Sequence, residues 1–225
     1  MSTNIAAYKE ILAALNGKAV LVAVSKTKPV EDIQALYDLG QRDFGEKYVQ
    51  ELTEKYEQLP KDIRWHFIGH LQSNKVKYMA PFVSLVHGVD SFGLLKEINK
   101  QALKNNRSID CLLQVHIAKE ETKFGLNSEE LELILSTNAG ELHDLQNICI
   151  RGLMGMASFS NNHDLVRSEF NYLKSLFDKY AQPSGVSYQP SVISMGMSAD
   201  YTIALEEGSN MVRIGSLLFG TRATL

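Results

Sequence analysis

Cysteine is scarce in this chain, with Cys111 and Cys149 the only two. Both sit in apolar, strand-like runs; they are too few for a zinc site and suit reduced core filling. A basic excess is missing as well: 23 Lys+Arg against 26 Asp+Glu leave a net charge of −3. That excludes the electrostatic footprint of a nucleic-acid or anionic-membrane protein, so no nucleic-acid and no membrane partner is expected. No apolar run approaches the ~20 residues that span a bilayer. The N-terminus lacks the cationic stretch and apolar core of a secretory signal, and a cytoplasmic protein is expected. H-E-x-x-H, paired-carboxylate and G-x-S-x-G patterns are absent, so metal and serine-nucleophile chemistry have no support. An early G-x-G-x-x-G is absent too, which counts against an open dinucleotide-binding sheet.

What is present is alternation. Helical spacing over Thr3 to Leu15 ends at Asn16-Gly17. Strand-like runs follow at Val20–Val24, Arg42–Phe44, Trp65–Gly69, Val83–Val86, Ile109–Ile117, Ile148–Met156, Val192–Ser194 and Met211–Ile214. Between them lie helical periodicities, among them one capped by Ser128, a long one over Leu165–Tyr180 and one over Ser198–Leu205. About eight strand–helix alternations predict a single-domain (β/α)8 TIM-type barrel over residues 1–225, with an extra N-terminal helix. The pattern uses almost the whole chain, and a second domain is not expected.

In such a barrel the residues just past each strand converge on one mouth. Lys26 follows the first strand directly. An amine among strand-end backbone groups is poorly solvated, which favours its neutral, nucleophilic form and opens Schiff-base chemistry with a carbonyl. By position alone it is more simply a solvated loop lysine. Glu46 and Lys47 follow the second strand, His66 lies in the third, and Met154 and Met156 follow the sixth. Ser194-Met195-Gly196-Met197-Ser198 is a small glycine-containing turn that opens onto a helix, and Gly215-Ser216 is a second turn on the neighbouring strand. Taken singly, Ser198 is an N-cap. As a pair, the two turns favour an anion site of the phosphate type. Arg213 lies within the last strand, suited to a ring nitrogen, a carboxylate or an outward salt bridge. His66 alternates with Trp65 and Phe67 and reads also as a satisfied polar group in the barrel interior.

Together these stretches resemble the pyridoxal phosphate homeostasis protein family. The resemblance rests on Ala23–Pro29, Phe44-Gly45-Glu46 with Tyr48–Glu51, Trp65–Lys75, Val89-Asp90-Ser91, Thr122–Gly125, Arg151–Met156, Ser194–Asp200 and Val212–Gly215. It spans nearly the whole chain in the expected order. It implies a barrel similar to the cofactor domain of alanine racemase, with pyridoxal 5'-phosphate (PLP) held as a Schiff base on Lys26. It implies phosphate contacts from Ser194, Gly196, Met197, Ser198, Gly215 and Ser216, and Arg213 near the pyridine nitrogen, with His66 and Met154 as further cofactor contacts. It implies a monomer that keeps intracellular PLP balanced, with PLP-dependent apo-enzymes as candidate partners and no assigned catalytic residue. A PLP-dependent amino-acid racemase is the alternative. One position departs from the family: asparagine is usual where this chain has Lys47, which puts a second cation near the expected lysine.

Overall fold

The computed structural model describes residues 3–120, 124–137, 139–182 and 187–220. Helix α1 (Ile5–Leu15) precedes β1 (Val20–Val24), followed by α2 (Val30–Asp38), β2 (Asp43–Glu46), α3 (Val49–Gln58) and β3 (Arg64–Phe67). A 3-10 turn at Ser73–Lys75 leads into α4 (Val76–Met79), β4 (Leu85–Val89), α5 (Phe92–Lys104) and β5 (Ile109–Val115). Next come α6 (Ser128–Glu132), a π-type stretch Leu133–Thr137, α7 (Ala139–His143), β6 (Ile148–Gly155) and α8 (His163–Lys179). The chain then forms β7 (Tyr188–Ser194), α9 (Tyr201–Glu206), β8 (Met211–Ile214) and α10 (Ser216–Phe219). The strands close a barrel in sequence order, β1 to β8, every neighbouring pair parallel. The expected (β/α)8 barrel with its additional first helix is the fold.

Side-chain parity sorts the layers, because successive residues of a strand face opposite sides. Val22, Leu85, Leu112, Met154 and Met211 meet in a small apolar cluster inside the barrel. Their strand neighbours Leu21, Ala23, Phe44, Trp65, Phe67 and Val86 face outward and pack on the helices through Ile33, Leu36, Leu52 and Phe170. The parity that sends Val22 and Val24 inward sends Lys26 inward too. It also sends Glu46 outward with Phe44, so Glu46 does not join the barrel mouth as its strand-end position suggests.

Several boundaries differ from expectation for identifiable reasons. Val83 stays outside β4 because its amide bonds back to the Met79 carbonyl at 2.8 Å. The cap of α6 is Asn127, not Ser128: Asn127 Oδ1 accepts from the Glu130 amide at 2.9 Å, and Glu130 Oε2 accepts from the Asn127 amide at 2.9 Å. The last long strand gap is shorter than expected, since β7 begins at Tyr188, where it pairs with Ile150. The helix expected from Ser198 begins at Tyr201, with Asp200 at its cap position. Thr122 and Lys123 of the Thr122–Gly125 motif, and Ala223 to Leu225, lie outside the described residues. Both cysteines are buried free thiols, as expected of core fillers. Among the described residues no helix is long and apolar enough to cross a membrane, and no three His, Cys, Asp or Glu side chains group as a metal site.

Candidate functional site

A cavity of about 780 Å³ opens at the carboxyl ends of the strands. Six of the expected residues line it together: Lys26, Met197, Ser198, Arg213, Gly215 and Ser216. They come from the loops after β1, β7 and β8 and from β8 itself, three strands that are neighbours in the closed barrel. Lys47 lines the same cavity, and so do Lys28, His70 and Gln114. Gln114 was not singled out in the sequence. Its signal was there in parity: it sits two residues after the inward Leu112, near the end of β5.

Lys26 is delivered between two anchored neighbours. The Ser25 hydroxyl donates to Glu46 Oε1 at 2.6 Å. The Thr27 amide donates to Glu51 Oε1 at 2.5 Å. Thr27 has φ +62°, a left-handed conformation that a β-branched residue adopts only at a cost of about 1–3 kcal/mol. The bond to Glu51 holds it there. Both carboxylates converge on one ammonium, since Lys55 Nζ lies 2.7 Å from Glu46 Oε1 and 2.7 Å from Glu51 Oε1. The Glu46 and Lys55 side chains are only 0% and 6% exposed. Burial pushes the Glu46 carboxyl up to about 7, opposed by the Lys55 charge and by hydrogen bonds from Lys55 and Ser25. Glu46 Oε2 is buried with no hydrogen-bond partner among the described residues. This cluster sits outside the barrel wall, between β2 and α3, and braces the turn that carries Lys26.

Across the cavity floor, Arg213 is buried and held by the ends of two strands. Nη1 donates to the Ser194 carbonyl at 2.9 Å and to Ser194 Oγ at 2.6 Å, and Nη2 donates to the Gly155 carbonyl at 3.0 Å. Burial brings its pKa down to about 10, with Asp200 pulling the other way, so it stays a cation at neutral pH. Its Nε has no hydrogen-bond partner among the described residues, which leaves a donor beside the cavity.

The turn after β7 is built differently from the expected helix-opening anion site. The Met197 amide donates to Asp200 Oδ1 at 2.5 Å, so it is not a donor toward the cavity. The Asp200 carboxyl is raised by burial. Ser198 is not a helix cap. Its Oγ accepts from the Gly215 amide at 3.3 Å and ties the turn after β7 to the turn after β8. Gly196 takes φ +95°, and a Cβ there would meet the Ala204 Cβ at 2.6 Å, so its part is to let the turn close against α9. Gly215 lets the last turn approach β1: a Cβ would stand 3.1 Å from the Val24 carbonyl oxygen.

Four expected cofactor contacts do not line the cavity. Ser194 is fully buried as the acceptor that fixes Arg213. Gly196 packs behind the turn. Met154 belongs to the apolar plug in the barrel. His66 sits in the interior, with Nε2 3.1 Å from Asp43 Oδ1 and Nδ1 2.9 Å from His87 Nε2. For His66 the interior alternative is the one realised.

Comparison with known proteins points one way. The family described as alanine racemase, N-terminal domain, matches residues 1–223. The pyridoxal phosphate homeostasis protein of Aquifex aeolicus (strain VF5) is 42% identical over 205 residues, covering 91% of this chain and 87% of that one. PipY of Synechococcus elongatus PCC7942 aligns without PLP at a TM-score of 0.87 and 31% identity, covering 95% of this chain and 98% of that one. The structure of PipY with PLP bound aligns at a TM-score of 0.82 and 33% identity, covering 94% and 99%. Alanine racemase of Clostridium difficile 630 aligns at a TM-score of 0.76 but 16% identity, over 97% of this chain and 56% of that one, which is a likeness of fold alone.

Proposed function

The chain belongs to the pyridoxal phosphate homeostasis proteins within the alanine racemase N-terminal domain family, and on that premise we propose that it binds pyridoxal 5'-phosphate at the cavity above Lys26 and acts in holding and balancing the cofactor. The observation that carries this is the meeting of Lys26, Arg213 and the Ser198, Gly215 and Ser216 turns around one cavity, in a chain 33% identical to a protein solved with PLP bound.

The donor set fits the group. The amides of Ser198 and Ala199 have no hydrogen-bond partner among the described residues. The Ser198 hydroxyl uses its oxygen for Gly215 and keeps its proton to donate. No side chain from position 215 intrudes. This surface offers N–H and O–H donors, as a phosphate requires. Arg213 supplies a fixed cation with a spare donor on the floor, suited to accept-only groups such as a ring nitrogen. Bound PLP supplies an aldehyde that a lysine amine holds as a Schiff base. Lys26 is the residue assigned to hold it, and Ser25 and Thr27 orient that lysine toward the cavity. On this proposal the cofactor it holds is a supply for PLP-dependent apo-enzymes.

The test is the visible spectrum of the purified protein after incubation with PLP, before and after borohydride. Reduction followed by peptide mapping is expected to place the pyridoxyl group on Lys26. Labelling chiefly on Lys28 or Lys47, or no visible band at saturating PLP, would overturn the reading.

A further inference from the structure

A chain of buried polar side chains runs through the barrel interior and ends on Arg213. Starting from the end away from the cavity, Arg64 binds Asp43 with two bonds, Nε to Oδ1 at 2.8 Å and Nη2 to Oδ2 at 2.5 Å. Asp43 Oδ1 lies 3.1 Å from His66 Nε2, and His66 Nδ1 lies 2.9 Å from His87 Nε2. His87 Nδ1 lies 3.3 Å from Ser194 Oγ, which receives Arg213 Nη1 at 2.6 Å. His66 and His87 are 3% and 0% exposed, so water does not stand between the two rings or between His87 and Ser194, while Arg64 at the far end is exposed.

The two ends of the chain fix its direction. Arg213 can only donate and the Asp43 carboxylate can only accept. Burial is outweighed at Asp43 by the two hydrogen bonds and the charge of Arg64 and by the hydrogen bond from His66, which bring it down to about 2 and keep it ionised. Ser194 Oγ therefore accepts from Arg213 and donates to His87 Nδ1. His87 then carries its proton on Nε2 and donates to His66 Nδ1. His66 carries its proton on Nε2 and donates to Asp43. Every group is satisfied once, with both rings neutral and in the same tautomer. Burial, the leading cause, holds His87 well below the usual histidine range and agrees with a neutral ring.

We infer that His66, His87 and Ser194 are positioning residues for Arg213, and that the chain carries the protonation state of the Asp43 end of the barrel to the cavity floor. The inference rests on the proposed PLP site. A proton taken up at His66 gives both its nitrogens hydrogens. His87 Nε2 must then accept, its own proton moves to Nδ1, and the Ser194 hydroxyl must turn its hydrogen away. Ser194 Oγ then takes donors from both His87 and Arg213, and a second cation shares the interior with Arg213. Both changes loosen the guanidinium. The charged and titratable groups facing the pair are Asp43 from β2, Arg64 behind it on β3 and Arg213 from β8, with Asp200 beyond Arg213.

Nitrogen NMR of the histidines in the cofactor-free protein tests the chain without any ligand: both His66 and His87 are expected as the Nε2–H tautomer, and an Nδ1–H ring at either position overturns the direction argued here. PLP affinity against pH tests the coupling. His66→Gln keeps an acceptor toward His87 and a donor toward Asp43 but cannot take the proton; it is expected to match the wild type at pH 8 and to lose part of the wild type's fall in affinity toward acid pH. Ser194→Ala leaves the Arg213 bond to the backbone and is expected to bind PLP about three- to tenfold more weakly at pH 8. Wild-type affinity and wild-type pH profile in both variants, each checked as folded by thermal melting, would overturn the inference while leaving PLP binding itself intact.

Discussion

Lys55 Nζ lies 2.7 Å from the carbonyl oxygen of Ser25, the residue immediately before Lys26. The same ammonium holds Glu46 and, through Glu51, the amide of Thr27. Lys26 therefore projects from a turn whose two flanking residues are fixed from behind the barrel wall. The brace uses a buried ion pair, which is costly to break from one side. Lys55→Met leaves Glu46 without its counter-ion in the layer between β2 and α3, and a loss of up to about 3–5 kcal/mol of stability is expected at alkaline pH, smaller at acid pH where the carboxyl takes up a proton, read by urea unfolding. Lys55→Met combined with Glu46→Leu should recover much of that loss, because it removes the stranded charge. A single variant as stable as the wild type would show that the cluster is not the brace described.

Glu46 also gives stability a pH dependence of defined sign. Its carboxyl sits near 7 in the folded chain against 4.5 as the ordinary value, chiefly through burial. The native state thus holds a proton that the unfolded chain has already released. This group's stabilisation is present at acid pH and is lost as pH rises from about 4.5 to about 7. Glu46→Gln removes the titration. The difference in urea midpoint between wild type and variant is expected to shift against the wild type between pH 5 and pH 8, and a constant difference would contradict the burial argument.

How much of this was legible in the sequence depends on the range of the interaction. Most of the eight strands were readable because they are short apolar runs between helical or turn-like stretches, whereas β2, Asp43–Glu46, has only Phe44 as a large apolar residue. Lys26 was readable from its place directly after β1 together with the family resemblance, and the parity of Val22 and Val24 is the physical reason that it faces inward. The Glu46–Lys55 pair was not, since a strand residue and a helix residue meet only once the register of β2 against α3 exists. The turn after β7 was half readable. Ser198 suits a cap by type, but the helix starts at Tyr201, and Asp200 at the cap position makes no side-chain cap bond: its carboxylate takes the Met197 amide instead. Ser194 was read as part of an anion turn, but its parity turns it inward under Arg213.

The phosphate reading predicts graded losses. Ser198→Ala removes a hydroxyl donor and also releases the Gly215 amide that it holds. A charge-assisted bond of about 1.5–3 kcal/mol corresponds to a loss of PLP affinity of about tenfold or more. Gly215→Val should be worse, because its Cβ would press on Val24, at 3.1 Å from the carbonyl oxygen and 3.3 Å from the Cβ. Equilibrium titration with PLP measures both, and unchanged affinity in the pair would remove these turns from the site.

Lys47 and Lys26 line the same cavity. Lys47 is exposed and Lys26 partly buried. Lys47→Asn removes an exposed cation from the cavity rim, so PLP affinity at low salt is expected to fall modestly and to depend less on ionic strength. Identical affinities and salt dependences of the two proteins would show that Lys47 takes no part in binding.

Racemisation sets the most demanding test of the proposed role, because it needs an acid or base on each face of the substrate α-carbon. Lys26 could serve one face. Tyr48 and Tyr201 are tyrosines that follow the ends of β2 and β7 in sequence and are candidates for the other. Neither lines the cavity: Tyr48 is exposed, and Tyr201 packs with the core and against Gly196. Among the described residues no tyrosine lines it at all. Arg213 on the floor adds a second obstacle, since a permanent cation there opposes protonation of a ring nitrogen placed against it and weakens the ring as an electron sink. The expected outcome is slow exchange, well below about 1 per second, of the α-proton of alanine and other amino acids in heavy water with the PLP-loaded protein. His70 and His163 do line the cavity, and they are the groups to substitute if exchange is found. Exchange at or above that rate, abolished by Lys26→Ala, would make the protein a racemase and replace the carrier reading.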